Sequence, residues 1–286
     1  MPLVLVMSSY VAGSRVGGGI APYVLAPLKV DPVHVPTTLF GRHPGWGRPG
    51  GEAVAVATME EMLEAIRANG LFAMTDAILT GYFVTPGQVE AAARAIDAVR
   101  AARGPAAAPL VIVDPVIGDT GSGMFVSRDT ARAQADYLLP RAGLIACNHW
   151  EFSWLTDLSG DTGPDIRPDI RHVADRALAS GRNWLVSSLT HGAQMANLLV
   201  WDGAAHGAAH DRLEGPTPKG AGDLFHLAFL GACMTGAGPR QALHRAVGAV
   251  TGVLQRAAAW GAAELPLAAC HDLLARSEEG GARIDL

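Results

Sequence analysis

One short segment of the sequence combines residue types that suit chemistry on an anion. Residues 218–223 read Pro-Lys-Gly-Ala-Gly-Asp, and an apolar stretch typical of a helix follows at once. Small residues let the backbone approach a ligand closely, and a helix start presents free N–H groups and the positive end of its dipole. Gly220, Ala221 and Gly222 would then cradle an anion, while Asp223 would accept a proton from an attacking hydroxyl. A glycine turn with Asp223 as an ordinary helix cap gives the same pattern.

Two further pairs of polar residues could serve a phosphate site. Asp114 and Asp119 flank a turn that contains glycine, and two acids beside a phosphate repel it unless a cation is present. Asn148 and Glu151 stand three residues apart at a predicted helix start, so both can face one metal ion and its waters. The same spacing also fits a helix cap with a capping-box glutamate. Both interpretations of the Asn148/Glu151 pair stay open.

Composition excludes several classes of protein. The chain has 286 residues, is 49% hydrophobic and 17% charged, and carries a net charge of −5 without a basic block. We therefore expect no nucleic-acid partner. The three cysteines have no paired spacing, which predicts neither a disulfide framework nor a zinc site. The sequence shows no signal peptide and no apolar run of about 20 residues, so we expect a cytoplasmic protein without a membrane partner.

Short strand patterns alternate with helical patterns along the chain. Predicted strands lie at 3–7, 33–39, 77–80, 110–113, 144–147, 184–187 and 197–200. Predicted helices lie near 17–28, 58–69, 88–103, 168–180, 223–236, 240–260 and 265–276. This alternation predicts a mostly parallel central sheet covered by helices on both faces, within a single domain over 1–286.

Ligands of such sheets bind beyond the carboxyl ends of the strands, and polar residues follow the predicted strands repeatedly. These residues are Ser8 and Ser9, Gly81 and Tyr82, Asp114 and Asp119, Asn148 and Glu151, and Ser187 and Ser188. We therefore expect one site at this edge of the sheet.

Short motifs in a fixed order make the chain resemble the pyridoxal kinase family of the ribokinase-like superfamily. The segments Ser9-Tyr10-Val11, His43-Pro44-Gly45-Trp46-Gly47, Thr80-Gly81-Tyr82, Asp114-Pro115-Val116-Ile117-Gly118-Asp119, Asn148-His149-Trp150-Glu151 and Gly220-Ala221-Gly222-Asp223 are similar to the family's signatures. The resemblance extends from the N-terminus to about residue 260. It implies a ribokinase-like three-layer α/β/α sandwich with a mostly parallel central sheet.

The resemblance also implies a reaction and its components. The reaction is ATP-dependent phosphorylation of the 5′-hydroxyl of pyridoxal, and of related vitamers, in vitamin B6 salvage. Asp223 would be the base beside the cradle formed by Gly220, Ala221 and Gly222. The implied substrate-binding residues are Ser9, His43, Tyr82 and Asp223. The implied nucleotide-binding residues are Asp114, Asp119, Asn148, Glu151, Ser187 and Gly222, and those for Mg²⁺ are Asp114, Asn148 and Glu151. A monovalent cation requirement is left open, and a homodimer is implied.

The departures from the family pattern bear on which substrate is bound more than on the type of reaction. Tyr10 replaces a histidine, Pro44 a possible threonine, and Ala146-Cys147 the usual Thr-Pro. Kinases of hydroxymethylpyrimidine usually carry cysteine in place of Asp223, and sugar or nucleoside kinases have a longer N-terminal lid segment. Both remain alternatives, as does a protein that binds pyridoxal phosphate without turnover.

Three further segments are expected to border the site. Residues 120–123, Thr-Gly-Ser-Gly, predict a mobile loop that closes on it. The Gly- and Ala-rich stretch 203–215 is predicted to pack over the adenine. Lys219, one of two lysines in the chain, would neutralise phosphoryl charge, form an imine with an aldehyde, or point to solvent.

Overall fold

The computed structural model describes residues 1–157, 168–213, 217–276 and 279–286. Its central feature is a sheet of ten strands, in the order β12-β11-β10-β9-β8-β5-β4-β1-β2-β3. These strands are β1 (Leu3–Val11), β2 (Asp31–Phe40), β3 (Gly51–Ala53), β4 (Thr75–Thr80), β5 (Leu110–Val113), β8 (Leu144–Asn148), β9 (Trp184–His191), β10 (Gln194–Trp201), β11 (Ala204–His210) and β12 (Ala282–Ile284). A separate hairpin joins β6 (Gly118–Asp119) to β7 (Gly123–Met124).

The centre of the sheet is parallel and its edges are antiparallel. Parallel ladders join β2 to β1, β1 to β4, β4 to β5, β5 to β8 and β8 to β9, whereas β3, β10, β11 and β12 pair in the antiparallel sense. The carboxyl ends of β1, β4, β5, β8 and β9 therefore lie along one edge. The sequence-predicted parallel sheet is confirmed.

Helices cover both faces of the sheet because its strands bury both sets of side chains. In β1, Leu5 and Met7 pack into one apolar core, while Val4 and Val6 pack into the other. The first core is covered by α2 (Val56–Ala68), α4 (Pro86–Arg103), α5 (Arg128–Ala133), α6 (His149–Asp157) and α7 (Ile170–Ala179). The second is covered by α1 (Ala21–Leu25), α8 (Ala221–Met234), α9 (Pro239–Trp260) and α10 (His271–Arg276). A short helix, α3 (Leu71–Met74), precedes β4. The result is the expected three-layer α/β/α sandwich.

Strand β11 lies in a segment for which the sequence predicted no strand, and the packing of that segment over the adenine stays a prediction. Within the stretch 203–215, Ala204–His210 forms strand β11 between β10 and β12, and residues 214–216 lie outside the described part of the chain. A Cβ at Gly207 would come within 2.8 Å of Ile284 and 3.0 Å of Ile170. The small residues thus let β12 and α7 pack closely against this strand. None of the described helices combines the length and apolar character that a bilayer span requires.

Candidate active site

The start of α8 is shaped by a glycine that another residue could not replace. Gly220 caps the helix with φ of +91°, and a Cβ there would lie 2.1 Å from the carbonyl oxygen of Arg15. The first bond of the helix runs from Leu224 N–H to Gly220 O. Ala221 and Gly222 therefore lie in the first turn, where backbone N–H groups have no intrahelical acceptor. A Cβ at Gly222 would have nothing within 4 Å, so open space adjoins this turn.

Asp223 lies at the same helix start. Burial raises the pKa of Asp223 to about 6, and the nearby Asp114 carboxylate adds to the rise, while a backbone N–H bond from Gly17 and the charge of His226 oppose it. Asp223 is half-buried overall, and it lies beside the open space at Gly222. Its pKa places the change between acid and base forms close to neutral pH.

Ser9, a predicted substrate residue, lies beside Gly17, whose backbone N–H bonds to Asp223. Ser9, near the end of β1, is buried, and its hydroxyl lies 2.1 Å from the position that a Cβ of Gly17 would occupy. Gly17 in turn donates to Asp223. The glycine-rich turn after β1 thus joins Ser9 to the helix start, as the strand-end pattern predicted.

Tyr82 is fixed by two hydroxyl groups that the motif comparison did not single out. Its backbone N–H donates to Ser8 Oγ at 3.2 Å, and its carbonyl oxygen accepts from Thr37 Oγ1 at 2.6 Å. Burial raises the pKa of the Tyr82 phenol. Beside Ser8, the His34 ring lies 3.0 Å from its carbonyl oxygen. Neither Thr37 nor His34 stands in a signature, and their bonds join β2 to residues far away in the sequence.

His43 reaches the mouth of this region from a separate loop. Its backbone N–H donates to Ser14 Oγ at 3.2 Å, and its Nδ1 accepts from Gly45 N–H at 3.0 Å. The pKa of His43 is lowered by burial and then by the charge of Lys219, against opposing effects from Glu264 and Asp119. Residues from four distant parts of the sequence therefore surround this histidine. Lys219 is exposed.

Asn148 and Glu151 cap each other at the start of α6. Asn148 N–H donates to Glu151 Oε2 at 3.0 Å, and Glu151 N–H donates to Asn148 Oδ1 at 2.9 Å. Glu151 Oε1 also accepts from Ile117 N–H at 2.8 Å and Gly118 N–H at 3.3 Å, and Asn148 Nδ2 donates to Gly118 O at 2.9 Å. Burial, followed by Asp114, raises the pKa of Glu151 to about 8. This pair ties the turn before β6 to α6.

The turn before β6 carries backbone strain beside the site. Val116 has φ of +42°, which is rare for a β-branched residue, and such strain concentrates at functional sites. The β6–β7 hairpin that follows holds Asp119, whose Oδ1 accepts from Ser122 N–H at 3.2 Å. Thr120 Oγ1 lies 2.9 Å from His149 Nε2. The segment 120–123 is thus the turn of an anchored hairpin, and its mobility stays a prediction.

A buried pair that the signatures did not indicate stands at the centre of the site. His226 Nδ1 lies 2.7 Å from Asp114 Oδ2, with side-chain exposures of 4% and 10%. Burial would lower the pKa of His226, but Asp114 and then Asp223 and Glu151 outweigh it and raise that pKa. The sequence placed His226 only within an apolar helix, since its partner is 112 residues away.

Ser187, a predicted strand-end residue in β9, lies beside Asn148. Asn148 and Ser187 are paired in the ladder between β8 and β9. Ser188, the next residue, has φ of +65°, so the chain bends where it leaves the parallel region. Ala146 and Cys147, which replace the family's Thr-Pro, are fully buried in β8. Burial and nearby acids hold the pKa of the Cys147 thiol well above its ordinary value.

The residues predicted for Mg²⁺ already make hydrogen bonds within the protein, and their metal role stays a prediction. Asp114 contacts His226, both oxygens of Glu151 accept backbone N–H groups, and the Asn148 amide is engaged at both of its ends. Across the residues that the structure describes, no group of three or more His, Cys, Asp or Glu side chains has the placement to hold a metal ion.

Known proteins resemble the chain over most of its length. The sequence model of the phosphomethylpyrimidine kinase family matches residues 53–268. Pyridoxal kinase PdxY of Granulibacter bethesdensis is 29% identical over 279 residues, which cover 96% of each chain. The pyridoxine/pyridoxal/pyridoxamine kinase of Bordetella avium is 31% identical over 264 residues, which cover 90% of this chain and 84% of the relative.

Solved structures share the fold of the chain. Pyridoxal kinase from Entamoeba histolytica superposes with a TM-score of 0.87 at 22% identity, over 100% of both chains. Pyridoxal kinase from Leishmania donovani, solved in complex with ADP and pyridoxamine, gives a TM-score of 0.88 at 20% identity, again over 100% of both chains. At these identities the structures show the fold. The chain belongs to the phosphomethylpyrimidine kinase family, in its pyridoxal kinase branch, and its fold is ribokinase-like.

Proposed function

We propose that the protein transfers the γ-phosphoryl group of ATP to the 5′-hydroxyl of pyridoxal or a closely related vitamer. The observation that carries this proposal is the position of Asp223. Its carboxylate stands at the start of α8, beside the free amides of Ala221 and Gly222, and contacts the glycine turn that holds Ser9. A base and the amides of an anion cradle thus share one helix turn.

The helix start supplies stabilisation of charge. In phosphoryl transfer the reacting group carries negative charge on its equatorial oxygens, and the protein mainly positions and neutralises it. The N–H groups of Ala221 and Gly222 and the positive end of the α8 dipole would stabilise this charge, and open space adjoins Gly222. The absent side chain at Gly222 is what leaves this space to a phosphoryl group.

Asp223 supplies the base. As the hydroxyl oxygen of the substrate bonds to phosphorus and the bond to ADP breaks, the hydroxyl proton passes to the Asp223 carboxylate. A pKa of about 6 leaves this carboxylate mostly ionised at neutral pH, yet basic enough to hold the proton briefly.

The relatives' names support a vitamin B6 compound as substrate. The Bordetella avium relative is named for pyridoxine, pyridoxal and pyridoxamine. Ser9 would offer a hydroxyl to a polar group of the pyridine ring, Tyr82 a flat face, and His43 a second contact at the mouth. Asp223, in place of the cysteine usual in hydroxymethylpyrimidine kinases, favours this substrate over that pyrimidine.

ATP is proposed as donor because the Leishmania donovani relative was solved with ADP. Ser187, Asn148 and Asp119 would border the nucleotide at the ends of β9 and β8 and in the β6–β7 hairpin. A divalent ion entering with ATP would keep phosphate and water ligands. The homodimer and the cytoplasmic location stay predictions, and light scattering of the purified protein tests the first.

An assay of ADP release tests the proposal. The panel would contain pyridoxal, pyridoxine, pyridoxamine, hydroxymethylpyrimidine, ribose and adenosine, with Asp223→Asn as the control variant. We expect turnover on the vitamers and a loss of about 10²-fold or more in Asp223→Asn, the scale for a missing general base. Turnover confined to the pyrimidine would identify the alternative kinase. Binding of pyridoxal phosphate without any turnover would identify a carrier.

A further inference from the structure

The segment Tyr82–Val84, which we name the Tyr82 strap, lies between β4 and α4 and belongs to neither a helix nor a strand. Phe83 is fully buried in the first apolar core, whereas Tyr82, the proposed contact to the vitamer, is half-buried. One residue of the strap thus anchors it to the core, while its neighbour keeps part of its surface for a ligand.

The backbone of Tyr82 is held at both of its polar groups. Its N–H donates to Ser8 Oγ at 3.2 Å, and its carbonyl oxygen accepts from Thr37 Oγ1 at 2.6 Å. Both hydroxyl-bearing residues are buried, and they come from β1 and β2. Segments outside helices and strands commonly bond to water instead, so these side-chain partners fix Tyr82 relative to two strands of the sheet.

Val84 is held in the same way at the other end of the strap. Its N–H donates to Gln88 Oε1 at 2.8 Å, and its carbonyl oxygen accepts from Thr130 Oγ1 at 3.0 Å. Gln88 on α4 and Thr130 on α5 are both buried. Neither end of the strap can therefore shift without leaving a buried hydrogen-bonding group unpaired, which is costly.

Gln88 also joins the strap to Thr37. Its Nε2 donates to Thr37 O and to Val54 O, each at 2.8 Å, while its Oε1 accepts from Val84. The bonds form a closed cycle, because Gln88 bonds to the backbone of Thr37 and the Thr37 hydroxyl bonds to Tyr82. This buried amide thus holds β2, the residue after β3 and the strap as one unit.

The next residue along β2 provides an internal comparison. Thr38 is as fully buried as Thr37, but its Oγ1 has no hydrogen-bond partner among the described residues. Replacing either threonine with valine removes one buried hydroxyl from the same strand. Only the change at Thr37 also removes a bond to the strap.

We propose that Thr37 and Gln88 are positioning residues for substrate recognition, which hold Tyr82 as a pre-formed wall of the vitamer pocket. Neither side chain has to touch the vitamer to do so. A group already held in its bound position loses little freedom when the ligand arrives, so a fixed Tyr82 favours binding. The inference rests on the proposed function for its kinetic consequence: loosening the strap should weaken vitamer binding and leave ATP binding and the transfer step intact.

Steady-state kinetics with pyridoxal and ATP compare the wild type with Thr37→Val, Thr37→Ser and the control Thr38→Val. Thr37→Val should raise the KM for pyridoxal roughly tenfold, less than the about 10²-fold that a displacement of about 1 Å can produce. Its kcat and its KM for ATP should stay within about twofold of the wild type, because a contact made equally in substrate and transition state affects KM alone. Thr37→Ser, which keeps the hydroxyl, and Thr38→Val should both match the wild type.

A double-mutant cycle shows whether Thr37 acts through Tyr82. Tyr82→Ala should itself raise the KM for pyridoxal, and adding Thr37→Val should change that KM by less than about twofold, since the side chain to be positioned is already gone. The full effect of Thr37→Val in the Tyr82→Ala background would overturn the proposal. So would an unchanged KM in Thr37→Val, or an equal rise in Thr38→Val.

Hydrogen exchange of the protein without substrate separates this inference from the proposed function. Amides in a peptide spanning 81–84 should exchange about tenfold faster in Thr37→Val than in the wild type, and at the wild-type rate in Thr38→Val. If this difference is present but no vitamer is turned over, the proposed function fails while the positioning of Tyr82 stands. Equal exchange in the two variants would overturn the positioning. If Thr37→Val does not fold, Thr130→Val, which frees the carbonyl oxygen of Val84, replaces it in both measurements.

Discussion

Asn148 and Glu151 exchange hydrogen bonds at the start of α6, each backbone N–H donating to the side-chain oxygen of the other residue. The Glu151 carboxylate also receives the N–H groups of Ile117 and Gly118, so one buried side chain joins the helix to the strained turn at Val116. The capping-box interpretation of this pair thus describes the observed geometry, and the metal interpretation becomes a question for experiment.

Glu151→Gln should destabilise the protein by about 1–3 kcal/mol, because one oxygen that accepts a backbone N–H is replaced by an amide donor. Thermal or urea unfolding measures the loss. The dependence of rate on Mg²⁺ should be unchanged if Glu151 only fixes the turn. A rise in the Mg²⁺ concentration for half-maximal rate would instead restore Glu151 to a metal role.

The pH dependence of kcat/KM should follow Asp223. Its folded-state pKa is raised to about 6, so its base form becomes dominant only as the pH rises through that value. We expect kcat/KM to fall about tenfold for each pH unit below the midpoint and to level off above it. Melting temperatures recorded at each pH separate this effect from acid unfolding. A midpoint near 4 would mean that Asp223 keeps an ordinary pKa.

Gly222→Ala should lose turnover, whereas Gly220→Ala should lose stability. A Cβ at Gly222 meets no protein atom within 4 Å, so the variant should keep its melting temperature but lose turnover as the methyl group enters the phosphoryl space. At Gly220 the φ of +91° and the Arg15 carbonyl oxygen both oppose a Cβ, so this variant should lose stability. Full activity in Gly222→Ala would show that the phosphoryl group lies elsewhere.

Lys219→Met tests the roles of the lysine that precedes the cradle. Lys219 is exposed, and its charge lowers the pKa of His43, so the lysine lies near that histidine. Equal losses with pyridoxal and pyridoxine would indicate charge neutralisation, whereas a change confined to pyridoxal would indicate an imine with its aldehyde. Lys29→Met, which alters the other lysine just before β2, serves as the control. Unchanged kinetics on both substrates would leave Lys219 as a solvated side chain.

The sequence predicted those parts of the fold where local pattern and burial agree. The unbroken apolar run of β5 and the glycine start of α8 both stand where expected. Strand β11 was missed because alanine and glycine have low strand propensity, and its strand state depends on close packing against β12. Helix α5 was also missed, although Ser127 caps it with a side-chain bond to the N–H of Thr130.

The motif residues of the candidate site could be named from the sequence, whereas the residues that contact them could not. Asp223 and Ser9 could be read from short signatures, because the chemistry requires those residue types next to glycine turns. The bonds from Thr37 to Tyr82 and from His226 to Asp114 join residues far apart in the sequence. A single sequence contains no signal for such pairs until the strand order of the sheet is known.

Cys147 is fully buried in β8, which lies between β5 and β9 in the sheet. Its thiol can therefore report when this part of the sheet opens. A thiol-alkylating reagent reaches this sulphur only when the centre of the sheet separates. With Cys233 and Cys270 replaced by alanine, the rate of labelling would therefore measure the opening of β8. Any compound that binds the native state slows this labelling in proportion to its occupancy. Affinities for nucleotides and vitamers thereby become measurable one at a time, with no turnover at all.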